Sequence, residues 1–402
     1  MHRVLPVIKG VRRSIVAWVA GAPLRQPRSG LYQVVGKVGH ATASPERAPY
    51  REHVSHPCAW RSADAGLLER LTLKLDQKEQ AVLLDIAQQL DADDADVTSL
   101  DTNAIGLGPM EQRLDEAQHS LTHGHGLVLV RGVPVDNLSL GAIEKLYWVL
   151  GSRFGVPVSQ SVMGDRIGHV TDVSGKDPNE RAYRNSLELP LHTDISDIVA
   201  MLCIRPAMRG GVSLYSSVAA VHNTMLSQCP ELLAPLYRGY RMHLFGEQRP
   251  GATPVTEHHV PVLSERDGYV SARIVPEYID MAEVELGEPL SELERAAIDQ
   301  FLAIASDHAH CLRLTLQAGD LTFINNYAIL HARSLFDDFP EPERRRLLLR
   351  LWLKGHECRP LDTTALDARR DGIAPQTERE TSYFAGDTAR KANRGRYGET
   401  LV

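Results

Sequence analysis

No Cys-x-x-Cys pair occurs in the chain, and its five cysteines (Cys58, Cys203, Cys229, Cys311, Cys358) are odd in number and widely spaced. This excludes a disulfide framework and a cysteine-based zinc site, and it fits a reducing, cytoplasmic compartment. The longest apolar stretch near the start, Ile15 to Ala20, falls far short of the roughly 20 residues that a membrane span needs, so no membrane partner is expected. A basic excess is also missing. The formal net charge of −7 provides no whole-protein positive field, which argues against nucleic acid as the main partner. No internal repeat is visible. What the chain does have is an ordinary globular balance, 43% hydrophobic and 24% charged, which excludes a largely disordered or collagen-like protein. Its 402 residues suggest one large domain or two ordinary ones.

Acidic residues are absent from positions 1–45, which hold seven Lys or Arg. The remainder sets 37 basic against 51 acidic residues, a balance of −14. Such a start resembles a mitochondrial transit segment in composition, but it reads better as a surface arm or as a subunit-contact strand of a homo-oligomer. Residues 359–402 are polar and glycine-containing with little apolar periodicity, a tail that is disordered or wrapped on the surface. The expected organisation is a basic arm over 1–60, a folded domain over 61–357 with its core at about 120–357, and a polar tail over 358–402.

Within the body, Leu67–Leu90 repeats leucine at helical spacing. Gly126–Arg131 reads as a buried strand, and Ser139 caps a helix that runs to Gly151. Short strand-like runs follow, with a hairpin over 258–274 turning at Glu265–Gly268. Ser291-x-x-Glu294 is a capping box opening a helix to about Ser306, and 312–316, 321–325 and 347–353 close the run as strands. Helices gather early and strands late, without regular βα alternation. The pattern predicts an α+β, mainly β protein: an antiparallel sandwich or barrel with helical buttresses.

The pairs His123/His125, His258/His259 and His308/His310 have neither a helical zinc context nor cysteine partners, and they read as structural or surface residues. The stretch around His192-Thr-Asp194 differs, because on a strand residues i and i+2 share a face. One further imidazole would complete the facial two-His, one-carboxylate set of non-haem Fe(II), which leaves positions for O2 and a co-substrate. His331 stands just after the strand-like run that follows Gly319-Asp320. Arg346 and Arg350, four apart, share a face of a segment so apolar that it must be largely buried. Buried guanidinium groups need anionic partners: a protein carboxylate or, beside a metal, a co-substrate carboxylate.

In this order of motifs the chain resembles the Fe(II)/2-oxoglutarate dioxygenases related to taurine dioxygenase, 2,4-dichlorophenoxyacetate dioxygenase and the clavaminate synthase-like enzymes. The resemblance covers about 120–357 and rests on His192-x-Asp194, Gly210-Gly211-x-Ser213, His331 and Arg346. It implies a double-stranded β-helix (jelly-roll) core, with His192, Asp194 and His331 as iron ligands. It also implies that Ser213 and Arg346 hold the distal carboxylate of 2-oxoglutarate, and that Arg350 meets a substrate anion. Ser replaces the commoner Thr, and Phe339 to Pro342 reads as a loop insertion between His331 and Arg346. The implied reaction oxidises a small-molecule substrate with O2 and releases succinate and CO2. Related halogenases lack a carboxylate at the position of Asp194, so its presence implies hydroxylation or a related oxidation. Glu188, four residues before His192, is placed to meet a substrate amine or a local Arg or Lys. The substrate class left open spans free amino acids, betaine-like acids and secondary-metabolite intermediates. Two other classes remain: a non-catalytic cupin-like β-barrel binding protein, and a hydrolase with the same triad on zinc.

Overall fold

The computed structural model describes residues 47–92, 95–173, 182–249, 251–363, 369–376 and 378. The acid-free basic stretch 1–45 lies outside them. The chain opens with α1 (Leu67–Leu71), β1 (Thr72–Lys74), α2 (Gln77–Asp91), α3 (Met110–His123), β2 (Leu127–Arg131), α4 (Leu140–Ser152), β3 (Gly155–Val158) and β4 (Ile167–Val170). Next come β5 (Leu189–His192), β6 (Ile198–Arg205), β7 (Arg209–Gly210), β8 (Ser213–Ser217), α5 (Val218–Gln228) and α6 (Leu233–Arg238). The hairpin β9 (Leu263–Arg266) and β10 (Tyr269–Ala272) precedes α7 (Pro276–Leu286) and α8 (Glu292–Ser306). The final strands are β11 (Cys311–Leu314), β12 (Asp320–Asn325), β13 (Ile329–Arg333), β14 (Phe336–Asp337) and β15 (Leu347–Gly355).

Two sheets carry the architecture, and the fold is α+β. A seven-stranded sheet runs β1-β2-β12-β6-β15-β3, with β4 also paired to β15, and a four-stranded sheet runs β11-β8-β13-β5. All these pairings are antiparallel except β1 with β2. Strand parity divides each central strand between two cores. In β15, Leu347, Leu349, Leu351 and Leu353 pack outward with α2, α3 and α4, whereas Leu348 and Trp352 pack inward. The inward set meets Tyr215, Leu314 and Ile329 of the four-stranded sheet, so the sheets share one core. Helices α5, α6, α7 and α8 and the hairpin form a further core that includes Leu191 and Leu330 of that smaller sheet. Burial on both faces explains why 347–353 is almost continuously apolar.

The single helix expected over 67–90 is instead helix, strand, helix. Thr72–Lys74 pairs in parallel with Leu129–Arg131, and tertiary pairing overrides the leucine spacing. Asp76 then restarts the helix with a capping box: its carboxylate accepts from the Lys78 and Glu79 amides, and Glu79 accepts from the Asp76 amide. The strand-rich second half also contains two helices without an amphipathic signature in the sequence. Helix α5 is buried on nearly all sides and capped by Ser217, and α7 starts at Pro276 and stops at the left-handed Gly287.

Residues 47–60, expected to belong to the arm, pack on the body, with Val54, Cys58 and Trp60 buried. Part of the expected tail packs as well: Ile373 is buried, and Arg370 forms a two-pronged contact to buried Asp197 at 2.7 and 2.6 Å. All five cysteines are free thiols. No helix among the described residues is long and apolar enough to cross a membrane.

Candidate metal centre and co-substrate pocket

His192 ends β5 and His331 lies mid-strand in β13, where the two are direct antiparallel partners. Their rings lie 4.3 Å apart between centroids. Asp194 follows two residues beyond His192, and the three side chains each bring one ligand atom to within 4.8 Å of the others. His192 Nε2 stands 4.0 Å from Asp194 Oδ1, and His331 Nε2 stands 3.5 Å from Oδ2. Neighbouring ligands on an octahedral ion with bonds of about 2.1 Å lie about 3 Å apart, so a small inward movement closes the set on a cation. The His192 tautomer is fixed by its partner. Nδ1 lies 2.8 Å from the Pro190 carbonyl, which can only accept, so Nδ1 carries the proton and Nε2 keeps its lone pair.

The Asp194 backbone is clamped on several sides. Its amide donates to Asn326 Oδ1 at 3.0 Å, and Asn326 Nδ2 returns to the Asp194 carbonyl at 2.6 Å and the Ser196 carbonyl at 2.7 Å. Arg273 Nη1 donates to the carbonyls of Thr193 and Asp194. The Asp194 side chain is aimed by Trp352, whose indole N–H donates to Oδ2 at 3.0 Å. Three residues on, Asp197 anchors the far end of the loop through Tyr327, the Gly355 amide and Arg370.

Burial and the neighbouring His331 push the His192 imidazole down to about 4, which keeps it neutral near pH 7. For Asp194 burial acts upward, but Arg350 and the two histidines outweigh it and hold the carboxyl below its usual range. A neutral His192 imidazole and an ionised Asp194 carboxylate, with the His331 ring beside them, form a donor set suited to a divalent cation.

One cavity holds both histidines together with Ser213, Tyr215, Thr322, Arg333, Arg346 and Arg350. Arg346 is buried, and its Nη1 has no hydrogen-bond partner. Burial pushes its guanidinium down to about 10. Arg333, opposite Ser213 in the β13–β8 ladder, is pushed down to about 9 by burial and by Arg346. Arg333 donates to the Asn185 and Leu187 carbonyls at 2.8 and 2.5 Å, which ties down the chain entering β5. The Gly-Gly before Ser213 has a steric cause: a Cβ at Gly210 would sit 2.3 Å from the Leu335 carbonyl oxygen, and one at left-handed Gly211 would sit 3.2 Å from Arg346 Nε. Arg350 is held between the rings of Tyr183 (4.2 Å) and Trp352 (4.9 Å), and it donates to Gln160 Oε1 at 2.7 Å. Its Nη1 lies 3.7 Å from Asp194 Oδ2.

Thus six of the seven residues singled out from sequence converge on one place. The exception is Glu188. Strand β5 begins only at Leu189, so the same-face argument does not reach Glu188, which is exposed and outside the cavity lining. The discounted histidine pairs stay apart from the triad: His123 pairs with Glu357, His258 is exposed, and His310 bonds Thr224. The sequence reading missed Trp352 and Tyr215, although each lies two residues beyond a residue it had chosen, on the same strand face.

This fold and this site belong to a known class of oxygenase. The family model for taurine catabolism dioxygenase TauD, TfdA family matches residues 102–352, and the chain belongs to that family. It is an Fe(II)/2-oxoglutarate-dependent dioxygenase, with both as its cofactors. The chain is 29% identical over 329 residues to FR-33289 synthase of Streptomyces rubellomurinus, covering 80% of this chain and 96% of that protein. It is 30% identical over 263 residues to taurine hydroxylase-like protein SAT17 of Stachybotrys chartarum, covering 61% of this chain and 64% of that one. Among solved structures, it resembles asparagine oxygenase in complex with Fe(II), hydroxyasparagine and succinate, with a TM-score of 0.56, 20% identity and coverage of 71% and 94%. It also resembles the non-heme iron oxygenase OrfP in complex with Fe and α-ketoglutaric acid, with a TM-score of 0.54, 14% identity and coverage of 76% and 100%.

Proposed function

We propose that this dioxygenase hydroxylates, or otherwise oxidises, a small anionic or amino-acid-like metabolite and releases succinate and CO2. In this reading the two facing sheets are a jelly-roll core, and His192, Asp194 and His331 are the iron ligands. Ser213 and Arg346 hold the distal carboxylate of 2-oxoglutarate, and Arg350 holds an anionic group of the substrate. The observation that carries the reading is the buried, unpartnered Nη1 of Arg346 in the cavity that contains both histidines. A guanidinium buried in this way calls for an anion, and a planar carboxylate matches its geometry.

Iron with the keto acid and O2 supplies the oxidising chemistry, and the protein contributes position and exclusion of water. His192 and His331 offer lone pairs from opposed strands, and Asp194 offers a negative charge whose direction Trp352 fixes. Arg346 and Ser213 set the distance between the keto acid's far end and the triad. Arg350, stacked between two rings and bonded to Gln160, has little rotamer freedom left, so it can hold an anion at small entropic cost. Val199, Met201 and Ile324 line the same cavity and keep water from the reacting atoms.

Anaerobic addition of Fe(II) followed by 2-oxoglutarate tests the site. A weak visible charge-transfer band is expected only if the keto acid chelates iron, and its absence in a folded, iron-loaded protein overturns the reading. A screen of amino acids and small sulfonates, phosphonates and carboxylates for succinate formation then identifies the substrate.

A further inference from the structure

Beside Arg346 the cavity wall carries a run of hydroxyls that the reading above leaves without a task. Tyr215 lies two residues beyond Ser213 in β8, so both side chains leave the strand on the same face, and both line the cavity. Thr322 reaches the cavity from β12 in the other sheet. The Tyr215 hydroxyl donates to Thr322 Oγ1 at 3.3 Å. Both residues are almost wholly buried, at 3% and 1% exposure. Burial pushes the phenol above its ordinary range, so near neutral pH it keeps its proton and remains a donor.

A carboxylate has two oxygens with about four acceptor positions, and a guanidinium with one serine hydroxyl does not fill them in a dry cavity. Any acceptor position left empty there carries a desolvation cost. Hydroxyl protons rotate freely, so Tyr215 and Thr322 can turn from each other towards an incoming anion without moving a heavy atom. We propose that the Tyr215 phenol, backed by Thr322, is a co-substrate-binding residue that donates to the distal carboxylate of 2-oxoglutarate. Together with Ser213 and Arg346 it makes the site select a dicarboxylic keto acid. The proposal rests on the assignment of Arg346 to that carboxylate.

The test is anaerobic titration of the Fe(II)-loaded protein with 2-oxoglutarate and with 2-oxobutyrate, which has the same chelating end but no distal carboxylate. Binding is followed by calorimetry and by the charge-transfer band. Tyr215→Phe removes only the hydroxyl, and Thr322→Val keeps the shape of the side chain. Tyr215→Phe is expected to raise the Kd for 2-oxoglutarate roughly ten- to a hundredfold, the loss typical of one hydrogen bond to a charged group. Its Kd for 2-oxobutyrate should stay unchanged, and Thr322→Val should show a smaller effect of the same kind. Equal weakening of both keto acids would show a merely structural role and overturn the proposal. Wild-type affinity for 2-oxoglutarate in Tyr215→Phe, with Arg346→Ala impaired, would also overturn it while leaving the Arg346 assignment standing. If Arg346→Ala binds 2-oxoglutarate normally as well, the parent reading falls with it.

Discussion

His192 and His331 oppose each other as direct partners across the β5–β13 ladder, with ring centroids 4.3 Å apart. Nearly 140 residues separate them in sequence, so the proposed metal centre forms only once β5 and β13 have paired in the right register. Replacing either histidine by Ala, or Asp194 by Ala, should weaken Fe(II) binding by more than about 100-fold, because each removes one of the three proposed protein ligands. Asp194→Glu keeps the charge but displaces the oxygen by a methylene, and should fall between wild type and Ala. His258→Ala, altering an exposed residue, should be silent. Anaerobic metal titration measures all of these, and wild-type binding by Asp194→Ala would remove the carboxylate from the ligand set.

Trp352 acts one step further out. Its indole N–H is the donor that reaches Asp194 Oδ2 at 3.0 Å, and its ring flanks Arg350. Trp352→Phe keeps the packing and loses the donor. Iron affinity should fall about tenfold or somewhat more, the range seen when partners of metal ligands are removed. Calorimetric iron titration of Trp352→Phe checks this, and an unchanged affinity would mean that the hydrogen bond does not position the ligand.

Arg346 and Arg350 should fail in different ways. Arg346→Ala should raise the requirement for 2-oxoglutarate, at a cost of about 2–5 kcal/mol for a lost charge pair in a dry site, while iron binding stays near normal. Arg350→Ala should weaken the prime substrate and leave uncoupled 2-oxoglutarate turnover. Steady-state assays of succinate and of product separate the two, and swapped phenotypes would reverse the roles.

Arg370 reaches back from the C-terminal stretch to Asp197, three residues beyond Asp194. Arg370→Ala leaves a buried carboxylate with Tyr327 and the Gly355 amide but without its cation. Because Arg370 itself is about a third exposed, the cost should be about 2 kcal/mol rather than that of a fully buried pair. Denaturant unfolding measures it. Arg370→Lys should recover only part, since an ammonium cannot reproduce the two-pronged contact.

The parts of this protein legible in sequence were those with local chemistry. The Ser139 and Ser291 caps, the Asp267-Gly268 hairpin turn and the His192-x-Asp194 spacing each state their structure within a few residues. Legibility failed where tertiary contact decides. Thr72–Lys74 becomes a strand because Leu129–Arg131 is there to pair with it. Helix α5 hides because burial on nearly all sides leaves no polar stripe to mark its period. Glu188 misled because strand periodicity was extended one residue past the strand's start. Trp352 and Tyr215 could have been found by following the strand face two residues on from Arg350 and from Ser213. Asn326 and Asp197 could not, because their roles depend on loops meeting in space.

Arg346, Arg350 and Trp352 leave the β15 segment towards the inner face, while Leu347, Leu349, Leu351 and Leu353 fill the positions between them and face the helices. The strand therefore behaves like a reading frame. One residue inserted or deleted within it would turn the arginines and the tryptophan beyond that point into the apolar helical layer and drive leucines into the cavity. On the proposed roles, point substitutions adjust co-substrate, substrate and metal one at a time. A change of length that β15 had to absorb would remove all three together. A change of length is therefore tolerable only in a segment that can take up the slack before the strand begins, such as the loop over 338–345.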